Sequence, residues 1–283
     1  MKKVEEVLTH ARRPNSPGRP EIVREQSRLF IDINGLRASG YLPEPDNDRK
    51  FADLYRQIKR PLLKRALPRK SPEQAEDARL IMVTSALPGD GKTFTSVNLA
   101  LSLARERDVS VLLIDADLLK PQVSKIFGVQ AAPGLTDVLT DETSSPESVV
   151  VGTNIRGLSL LPAGPTVGSA AELLGSERMR QIMRSLCSSN PRRIVLLDSP
   201  PLLVTSEGPA LLSIAGQVVL VVRASVTPRQ AVLDAIALFG ENQAGGIVLN
   251  EARVGVMQSY YGYGTYGSYG TYGNDGDAGS PKI

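Results

Sequence analysis

The sequence predicts a doubly wound α/β fold with a mainly parallel sheet, a basic N-terminal extension and a flexible C-terminal tail. Six short apolar runs, rich in β-branched residues, alternate with longer amphipathic segments between residues 79 and 252. Continuous apolar runs are typical of strands that are buried on both faces, and their alternation with helices favours parallel order. In such a sheet, ligands bind beyond the carboxyl ends of the strands.

The predicted elements follow one another in a regular rhythm. In chain order, the strands are RLIMVTSA, VSVLLIDAD, LSLLP, RIVLLD, QVVLVV and GIVLN. A helix is predicted between the first two strands, in TFTSVNLALSLARER, where apolar residues recur at spacings of three and four. This spacing places on one helical face Phe94, Val97, Leu101 and Ala104.

Composition excludes several classes of function. Cys187 is the only cysteine among the 283 residues and His10 the only histidine, which excludes a disulfide framework, a Cys/His metal site and a histidine base in the folded core. No apolar run reaches the ~18 residues that a bilayer-spanning helix needs. The N-terminus lacks the apolar stretch of a secretory signal, so we expect a reducing, cytoplasmic setting.

The charge distribution divides the chain into unequal parts. Residues 1–70 hold 17 Lys and Arg against 9 Asp and Glu, a net charge of +8, whereas the remaining residues carry 16 against 21, a net charge of −5. A solvated arm or a surface for an acidic partner or membrane explains such a basic end. We predict a basic adaptor or oligomerisation region at residues 1–77, a catalytic domain at 78–252 and a tail at 253–283.

The sharpest motif is ALPGDGKT at residues 86–93, between a predicted strand and a predicted helix. It has the spacing of a P-loop, in which glycines let backbone N–H groups converge on phosphate oxygens at a helix N-terminus. In this pattern the lysine reaches the β- and γ-phosphates of ATP and the following hydroxyl ligates magnesium. The predicted nucleotide-binding residues are Pro88, Gly89, Asp90, Gly91, Lys92, Thr93 and Phe94. A turn that only joins strand to helix is the alternative.

Carboxylates follow two other predicted strands. VLLIDAD ends in Asp115 and Asp117, and RIVLLDSPP carries Asp198 at the end of its apolar run. Because the ends of parallel strands meet at one edge of the sheet, these carboxylates would repel one another unless a cation or a proton lies among them. We therefore predict a magnesium site of Thr93, Asp115 and Asp198. Lys92, Asp115 and Asp117 are the predicted catalytic residues, with turn capping as the alternative for Asp117.

The segments ALPGDGKT, VLLIDADLLKP and VLLDSPP resemble, in order and spacing, the three Walker-type motifs of bacterial tyrosine kinases, the P-loop autokinases that accompany polysaccharide export. The resemblance extends through GLTDVLT, LSLLPAG, AELLGSERM and VVLVVRASVTP and covers roughly residues 50–252. FADLYRQIKRPLL resembles the segment before the kinase core in the exosortase-associated branch. The resemblance implies an ATP- and Mg²⁺-dependent protein-tyrosine autokinase of the P-loop NTPase fold.

The same resemblance implies partners. It suggests a homo-oligomeric ring, a membrane-embedded activator of the polysaccharide chain-length or co-polymerase type, a protein-tyrosine phosphatase, and a cytoplasmic location, with attachment to the inner membrane through a partner as one option. By similarity, the ring contacts fall on Asp53, Arg56 and Lys59 of an N-terminal helix, which ordinary surface pairs within that helix would equally explain. Pro61 is expected to end or kink the helix near Arg60.

The P-loop and the second motif each differ at one position from the motifs of related protein families. Partitioning and division-site ATPases carry an extra lysine in the P-loop, where this chain has Leu87. In the second motif, most bacterial tyrosine kinases place an arginine two residues after the second aspartate, where this chain has Leu119 followed by Lys120. The first departure argues against the partitioning class, and the second shifts a positive charge by one position.

The tail holds six of the eight tyrosines of the chain, and residues 259–273 contain only Tyr, Gly, Ser and Thr. This composition predicts a flexible segment. The predicted phosphoacceptors are Tyr260, Tyr261, Tyr263, Tyr266, Tyr269 and Tyr272. An adhesive aromatic segment is the alternative, whereas nucleic-acid binding is not expected because Arg and Lys do not alternate with the tyrosines.

Three functions remain open on the sequence alone. The first is a tyrosine autokinase that phosphorylates its own tail between subunits and regulates exopolysaccharide synthesis or export, the charged tails then loosening the assembly. The second is an ATPase switch that localises a partner without kinase activity. The third is an interaction module in which ATP stabilises a ring and the tail is adhesive.

Overall fold

The computed structural model describes residues 28–67, 75–240 and 243–252. The predicted phosphoacceptor tyrosines lie outside these residues, as do residues 1–27 and 68–74 of the basic extension. The structure therefore bears on the predicted catalytic domain and on the second half of the region before it.

In this part of the chain, seven strands form one sheet in the order β3-β4-β2-β5-β1-β6-β7. All neighbours pair in parallel except β3 and β4, which are antiparallel. The strands are β1 (Leu80–Ser85), β2 (Ser110–Asp115), β3 (Val151–Gly152), β4 (Leu158–Leu161), β5 (Arg193–Asp198), β6 (Gln217–Arg223) and β7 (Ala244–Asn250). All six predicted strands are present; β3, with two residues, is too short to show a periodic pattern.

Helices cover both faces of the sheet, which confirms the predicted doubly wound α/β fold. They are α1 (Ile33–Ala38), α2 (Asp48–Ala66), α3 (Ala75–Ala78), α4 (Lys92–Ala104), α5 (Gln122–Ile126), α6 (Leu135–Thr140), α7 (Ala170–Leu174), α8 (Glu177–Ser188), α9 (Glu207–Leu212) and α10 (Arg229–Ala237), with 3₁₀ turns at Pro45–Asn47 and Pro146–Val149.

The central strands are buried because each face of the sheet has its own hydrophobic core. Along β1, Leu80 and Met82 pack on the side of α8, whereas Ile81 and Val83 pack on the side of α2 and α4. Alternate side chains of a strand point to opposite faces, so a sheet covered on both faces needs apolar residues at every position. This explains why the strands are continuous apolar runs.

Helix α4 lies between the sheet and α2. Val97, Leu99 and Leu103 are fully buried, whereas Phe94 and Leu101, on the predicted apolar face, are only half-buried. The ring of Phe94 meets the ring of Phe51 on α2 edge to face, with centroids 6.1 Å apart. Because the sheet covers α4 on one side and α2 covers it on the other, its buried residues are not confined to the single apolar face that was predicted.

Helix α2 packs against α4 through a stripe of buried residues at spacings of three and four: Tyr55, Lys59, Leu62 and Ala66. The Lys59 ammonium donates to the Ser102 carbonyl oxygen at 2.7 Å and pairs with Glu106 at 2.7 Å. A lysine buried in this stripe therefore has its charge satisfied at the C-terminal end of α4, where the helix dipole also favours a cation.

Pro61 was expected to end or kink this helix near Arg60. The expectation that the helix ends there was wrong, because α2 continues to Ala66. Pro61 and Gln57, whose carbonyl would lose its partner, lie on the exposed face, where water can take up the free carbonyl. The buried Leu62 and Ala66 hold the last turn against the core.

The predicted boundary at residue 77 falls within one hydrophobic core. Leu36 of α1 and Tyr55 of α2 belong to the same buried cluster as Val83 and Val97 of the catalytic domain. Before α1, the backbone of Leu29 bonds to that of Gly152 at 2.8 Å. The described part of the N-terminal region is therefore packed against the sheet.

Among the described residues, no helix combines the length and the apolarity that crossing a membrane requires.

The two neighbouring basic residues of α2 give a matched test of this packing. Lys59→Met removes both buried polar contacts, so we expect it to lower the free energy of unfolding by roughly 1–3 kcal/mol. Arg56→Met, one turn earlier on the exposed face, should change it by less than ~0.5 kcal/mol. Urea unfolding followed by circular dichroism measures both. Equal destabilisation by the two substitutions would contradict the burial of Lys59.

Candidate active site

The P-loop adopts the geometry that its glycines predict. Gly89 and Gly91 have φ angles of 86° and 96°, in the left-handed region that favours glycine, and α4 begins immediately afterwards at Lys92. A Cβ atom on Gly91 would collide with the side-chain amide of Asn250, at the end of β7. The loop therefore requires glycine at residue 91 for two reasons, backbone conformation and the close approach of β7.

The Asp90 side chain forms hydrogen bonds within the P-loop and with a neighbouring turn. Its side chain is buried, with one oxygen accepting from the Thr227 hydroxyl at 2.6 Å and the other from the Leu87 N–H at 3.2 Å. The Asn250 amide donates to the Asp90 carbonyl oxygen at 3.1 Å. These bonds connect the P-loop to the turn after β6 and to the end of β7. The Asp90 side chain is thus engaged by the protein, which leaves its backbone for the predicted nucleotide contact.

Lys92 lies among the predicted carboxylates. Its ammonium is 3.1 Å from Asp117 Oδ2, and both side chains are largely buried. Desolvation acts to lower the pKa of Lys92, but the negative charges of Asp198 and Asp117 outweigh it and raise the pKa. The lysine is therefore held as a cation at the start of α4, where a phosphate would bind.

Asp198 is fully buried at the end of β5 and is held by two hydroxyls of α4. Thr93 Oγ1 donates to Asp198 Oδ2 and Ser96 Oγ to Asp198 Oδ1, both at 2.8 Å. Burial raises the pKa of this carboxyl, while Lys92 and the two hydroxyls oppose the increase. The predicted pair of Thr93 and Asp198 is therefore brought together.

Asp115 lies beside Asp198, because the two residues are register partners on β2 and β5. Its Oδ2 accepts from the Ser124 N–H at 2.7 Å, whereas Oδ1 is buried without a hydrogen-bond partner. Desolvation first, and then the charge of Asp198, raise the pKa of Asp115 to about 7. One buried oxygen thus remains available for a proton or a cation.

The donor set fits magnesium. Mg²⁺ usually binds to one or two carboxylates and completes its shell with water and substrate phosphates. The Thr93 hydroxyl, Asp198 and the free oxygen of Asp115 supply oxygen ligands of this kind next to the P-loop. Nowhere in the described chain do three or more His, Cys, Asp or Glu side chains form a cage for a metal ion. A cation at this site would therefore depend on phosphate oxygens for part of its shell.

Asp117 lies at the site and also caps a turn, as its alternative interpretation predicted. Besides its pair with Lys92, its Oδ1 accepts from the Lys120 N–H at 3.1 Å and so caps a turn after β2. Both oxygens have partners, in contrast to Asp115.

The predicted ring residues do not lie together. Asp53 and Arg56 form an ion pair on the exposed face of α2, with both side chains about half exposed. Lys59 faces the interior and pairs with Glu106. Only the first two are positioned for contact with another molecule.

Sequence reasoning missed four residues that hold the site: Ser96, Ser124, Thr227 and Asn250. Ser96 could have been found, because it lies one helical turn after Lys92 and faces the same way. Ser124 could have been suspected from its place near the second motif. Thr227 and Asn250 are far along the chain from the P-loop, and their approach depends on β6 and β7 in the sheet.

Comparison with known proteins agrees with this geometry. The AAA domain family model matches residues 78–240, more than half of the chain. Tyrosine-protein kinase YwqD of Bacillus subtilis is 34% identical over 187 residues, which cover 65% of this chain and 77% of that protein. The chain belongs to the bacterial tyrosine kinase family. The predicted family is thus confirmed, and with it the class of enzyme, a protein-tyrosine kinase.

Solved structures place this kinase in the same group. The kinase domain of VpsO has a TM-score of 0.60 at 29% identity and covers 74% of this chain and 100% of that one. The kinase domain of Escherichia coli tyrosine kinase ETK has a TM-score of 0.55 at 26% identity and covers 75% of this chain and 85% of that one. A cell-division ATPase, MinD of Pyrococcus furiosus, at 24% identity shares the fold alone.

The chain spans only about a quarter of the length of some relatives. Tyrosine-protein kinase wzc of Salmonella typhimurium is 31% identical over 173 residues, but these cover 60% of this chain and only 24% of that protein. Tyrosine-protein kinase ptk of Acinetobacter johnsonii is likewise covered over 24% of its length.

The buried carboxyl of Asp115 gives the apo kinase a pH-dependent stability. Its pKa is about 7 in the folded protein and near the ordinary ~3.9 in the unfolded chain. The protonated form is thus favoured by folding, and this stabilisation is fully present below pH ~4 and is lost as the pH rises through about 7. Without nucleotide or metal, Asp115→Asn should raise Tm by roughly 3 °C or more at pH 8.

The asparagine keeps an acceptor for the Ser124 N–H, and the gain in Tm should shrink by more than half between pH 8 and pH 5. Differential scanning calorimetry at both values measures it. Glu142→Gln, at an exposed position, serves as the control and should show no such trend. A gain that is independent of pH would contradict a raised pKa at Asp115.

The bond between Thr227 and Asp90 should support nucleotide binding. Thr227→Val removes the hydroxyl donor and leaves a buried carboxylate oxygen unsatisfied, so we expect roughly tenfold weaker ATP binding. Thr227→Ser keeps the hydroxyl and should bind as the unmodified kinase does. Anisotropy of a fluorescent ATP analogue measures the three affinities. Equal affinity of the valine and serine variants would contradict a role for this bond.

Proposed function

We propose that this kinase transfers the γ-phosphoryl group of ATP to its own C-terminal tyrosine cluster, between subunits of a homo-oligomer. The observation that carries the proposal is the grouping of Lys92, Asp115 and Asp198 beside the P-loop. The acceptors are Tyr260, Tyr261, Tyr263, Tyr266, Tyr269 and Tyr272.

Positioning and charge neutralisation supply most of the catalysis. The backbone from Pro88 to Phe94 binds the phosphates at the N-terminus of α4, and the Lys92 ammonium neutralises the β- and γ-phosphates. Magnesium, when bound beside Thr93 and Asp198, would neutralise charge on the same phosphates. Asp198 is held by Thr93 and Ser96, so the hydroxyl of Thr93 stays fixed next to the phosphate-binding loop.

Asp115 is the better candidate for the proton acceptor. Its Oδ1 is buried without a hydrogen-bond partner, so this oxygen has the capacity to accept a proton. Both oxygens of Asp117 are already engaged by Lys92 and Lys120. As the tyrosine oxygen bonds to the γ-phosphorus, the bond from that phosphorus to the leaving ADP oxygen breaks, and the phenolic proton passes to the Asp115 carboxylate.

The reach of the tail supports transfer between subunits. Ten to twenty residues of extended chain span roughly 35–70 Å, enough to enter a neighbouring site. In a ring, Asp53 and Arg56 would provide the contact surface, since both lie on the exposed face of α2. Lys59 would instead support the ring indirectly, by fixing α2 against α4.

The resemblance of the three motifs to polysaccharide-export autokinases supports a cellular role. On that basis the kinase regulates exopolysaccharide synthesis or export from the cytoplasmic side. A membrane-embedded chain-length or co-polymerase protein would activate it at the inner membrane, and a protein-tyrosine phosphatase would restore the unphosphorylated form.

Incubation with Mg²⁺ and ATP followed by detection of phosphotyrosine tests this function. We expect strong incorporation in the unmodified kinase, at least ~100-fold less in Lys92→Met, and almost none when all six tail tyrosines are changed to Phe. The Phe variant should still bind ATP, which separates loss of the acceptor from loss of the site.

A mixing experiment tests transfer between subunits. Lys92→Met, which keeps the tail, is incubated with the six-Phe variant, which keeps the site, and phosphotyrosine on the former supports the proposal. Phosphate release without phosphotyrosine would point to an ATPase switch, and neither activity to an interaction module. Because a membrane activator is part of the proposal, a negative result is repeated with the co-polymerase protein.

A further inference from the structure

Helix α2 carries a second stripe on its exposed side, opposite the buried one. Arg49, Arg56, Arg60 and Lys64 recur at spacings of seven, four and four, so they line one face of the helix, and all four are exposed. At ~1.5 Å per residue the row is roughly 22 Å long. These four residues are called the basic stripe below.

The positive charge of this stripe is only partly compensated. Asp48 pairs with Arg37, and Asp53 with Arg56. Within the described part of the chain, no carboxylate is within ion-pair distance of Arg49, Arg60 or Lys64. A concentration of uncompensated guanidinium and ammonium groups favours an anionic ligand, above all one with several phosphate groups.

The stripe begins beside the nucleotide site, and the described chain ends beside the same site. Phe51, next to the start of the stripe, packs against Phe94 at the end of the P-loop, with ring centroids 6.1 Å apart. Asn250, two residues before the last described residue, donates to Asp90 of the same loop at 3.1 Å. The start of the basic stripe and the end of β7 thus both contact the P-loop.

We propose that the basic stripe is the docking site for the phosphorylated tyrosine cluster of the same chain. This inference rests on the proposed autophosphorylation. Between Arg253 and Asp275 the tail has no charged residue, so the unmodified cluster has little attraction for the stripe. Each phosphotyrosine adds about −1.5 to −2 charges and three acceptor oxygens, which arginine binds in a bidentate manner.

The tail is long enough to reach the stripe. From Ala252 to Tyr260 the extended chain spans roughly 26–29 Å, and from Ala252 to Tyr272 roughly 66–72 Å, at ~3.3–3.6 Å per residue. The short tether also gives the cluster an effective concentration of the order of 1 mM near the stripe. An anionic lipid surface has the right charge but lacks this tether, so the tail is favoured.

Docking would also affect assembly. Asp53 and Arg56, proposed for the contact between subunits, lie on the same face as Arg60 and Lys64. A docked phosphorylated tail would cover that face, so phosphorylated chains would lose their neighbours by competition as well as by repulsion.

A binding experiment with a synthetic peptide tests the proposal without relying on kinase activity. The receptor is the full chain with all six tail tyrosines changed to Phe, so that its own tail does not compete. The probes are fluorescent peptides of residues 258–274, one unphosphorylated and one with phosphotyrosine at Tyr266, Tyr269 and Tyr272. Anisotropy is followed up to about 1 mM, the effective concentration of a short tether.

Matched variants locate the binding site. Arg60→Gln with Lys64→Gln removes two charges of the stripe, and Arg156→Gln with Arg184→Gln removes two exposed charges elsewhere on the chain. We expect the phosphopeptide to bind the receptor, the unphosphorylated peptide not to bind, and the stripe variant to bind about tenfold more weakly. The second pair should bind as the receptor does, and affinity should fall as salt is raised.

Equal binding to both double variants, or no binding of the phosphopeptide, overturns the proposal. So does binding of the receptor to vesicles containing 30% phosphatidylserine without binding of the phosphopeptide, which would assign the stripe to a membrane surface. Phosphopeptide binding that depends on the stripe, in a kinase that forms no phosphotyrosine with Mg²⁺ and ATP even when the co-polymerase protein is present, would reject the proposed function but retain the binding site.

Discussion

The site depends on one lysine, Lys92, whose positive charge lies among three buried carboxylates. Parallel pairing of β2 and β5 makes Asp115 and Asp198 register partners, and Asp117 follows two residues later. Lys92 compensates part of this negative charge, and the hydroxyls of Thr93 and Ser96 stabilise another part. Burial, and after it the charge of Asp198, raises the pKa of Asp115 to about 7. A bound cation would reduce the repulsion between these carboxylates.

The P-loop is held from three sides. Its own aspartate, Asp90, binds the Leu87 N–H within the loop, Thr227 approaches from the turn after β6, and Asn250 from the end of β7. A glycine at residue 91 permits that last approach, since any side chain would collide with the amide. The edge strand β7 is thereby in contact with the phosphate-binding loop.

Helix α2 shows how one amphipathic element can have two tasks. Its buried stripe includes Lys59, which binds the end of α4 and so connects the helix to the element that begins with the P-loop. Its exposed side presents Arg56, Arg60 and Lys64 to the surroundings. The family pattern places three charged residues on this helix, but their burial differs because they point to different sides.

The sequence by itself determined the sheet, the P-loop and the family. The apolar runs and the motif at residues 86–93 are local patterns, which can be recognised without knowledge of the tertiary contacts. It also identified Asp115 and Asp198, since the carboxyl ends of parallel strands lie at one edge of the sheet, but the pairing of β2 with β5 made them neighbours. Tertiary structure alone decided that Thr227 and Asn250 reach the P-loop and that Lys59 faces inward. The first two contacts join residues that are distant along the chain, and the third depends on which side of a helix is covered. The spacing of residues along the chain reveals neither the distant contacts nor the covered side.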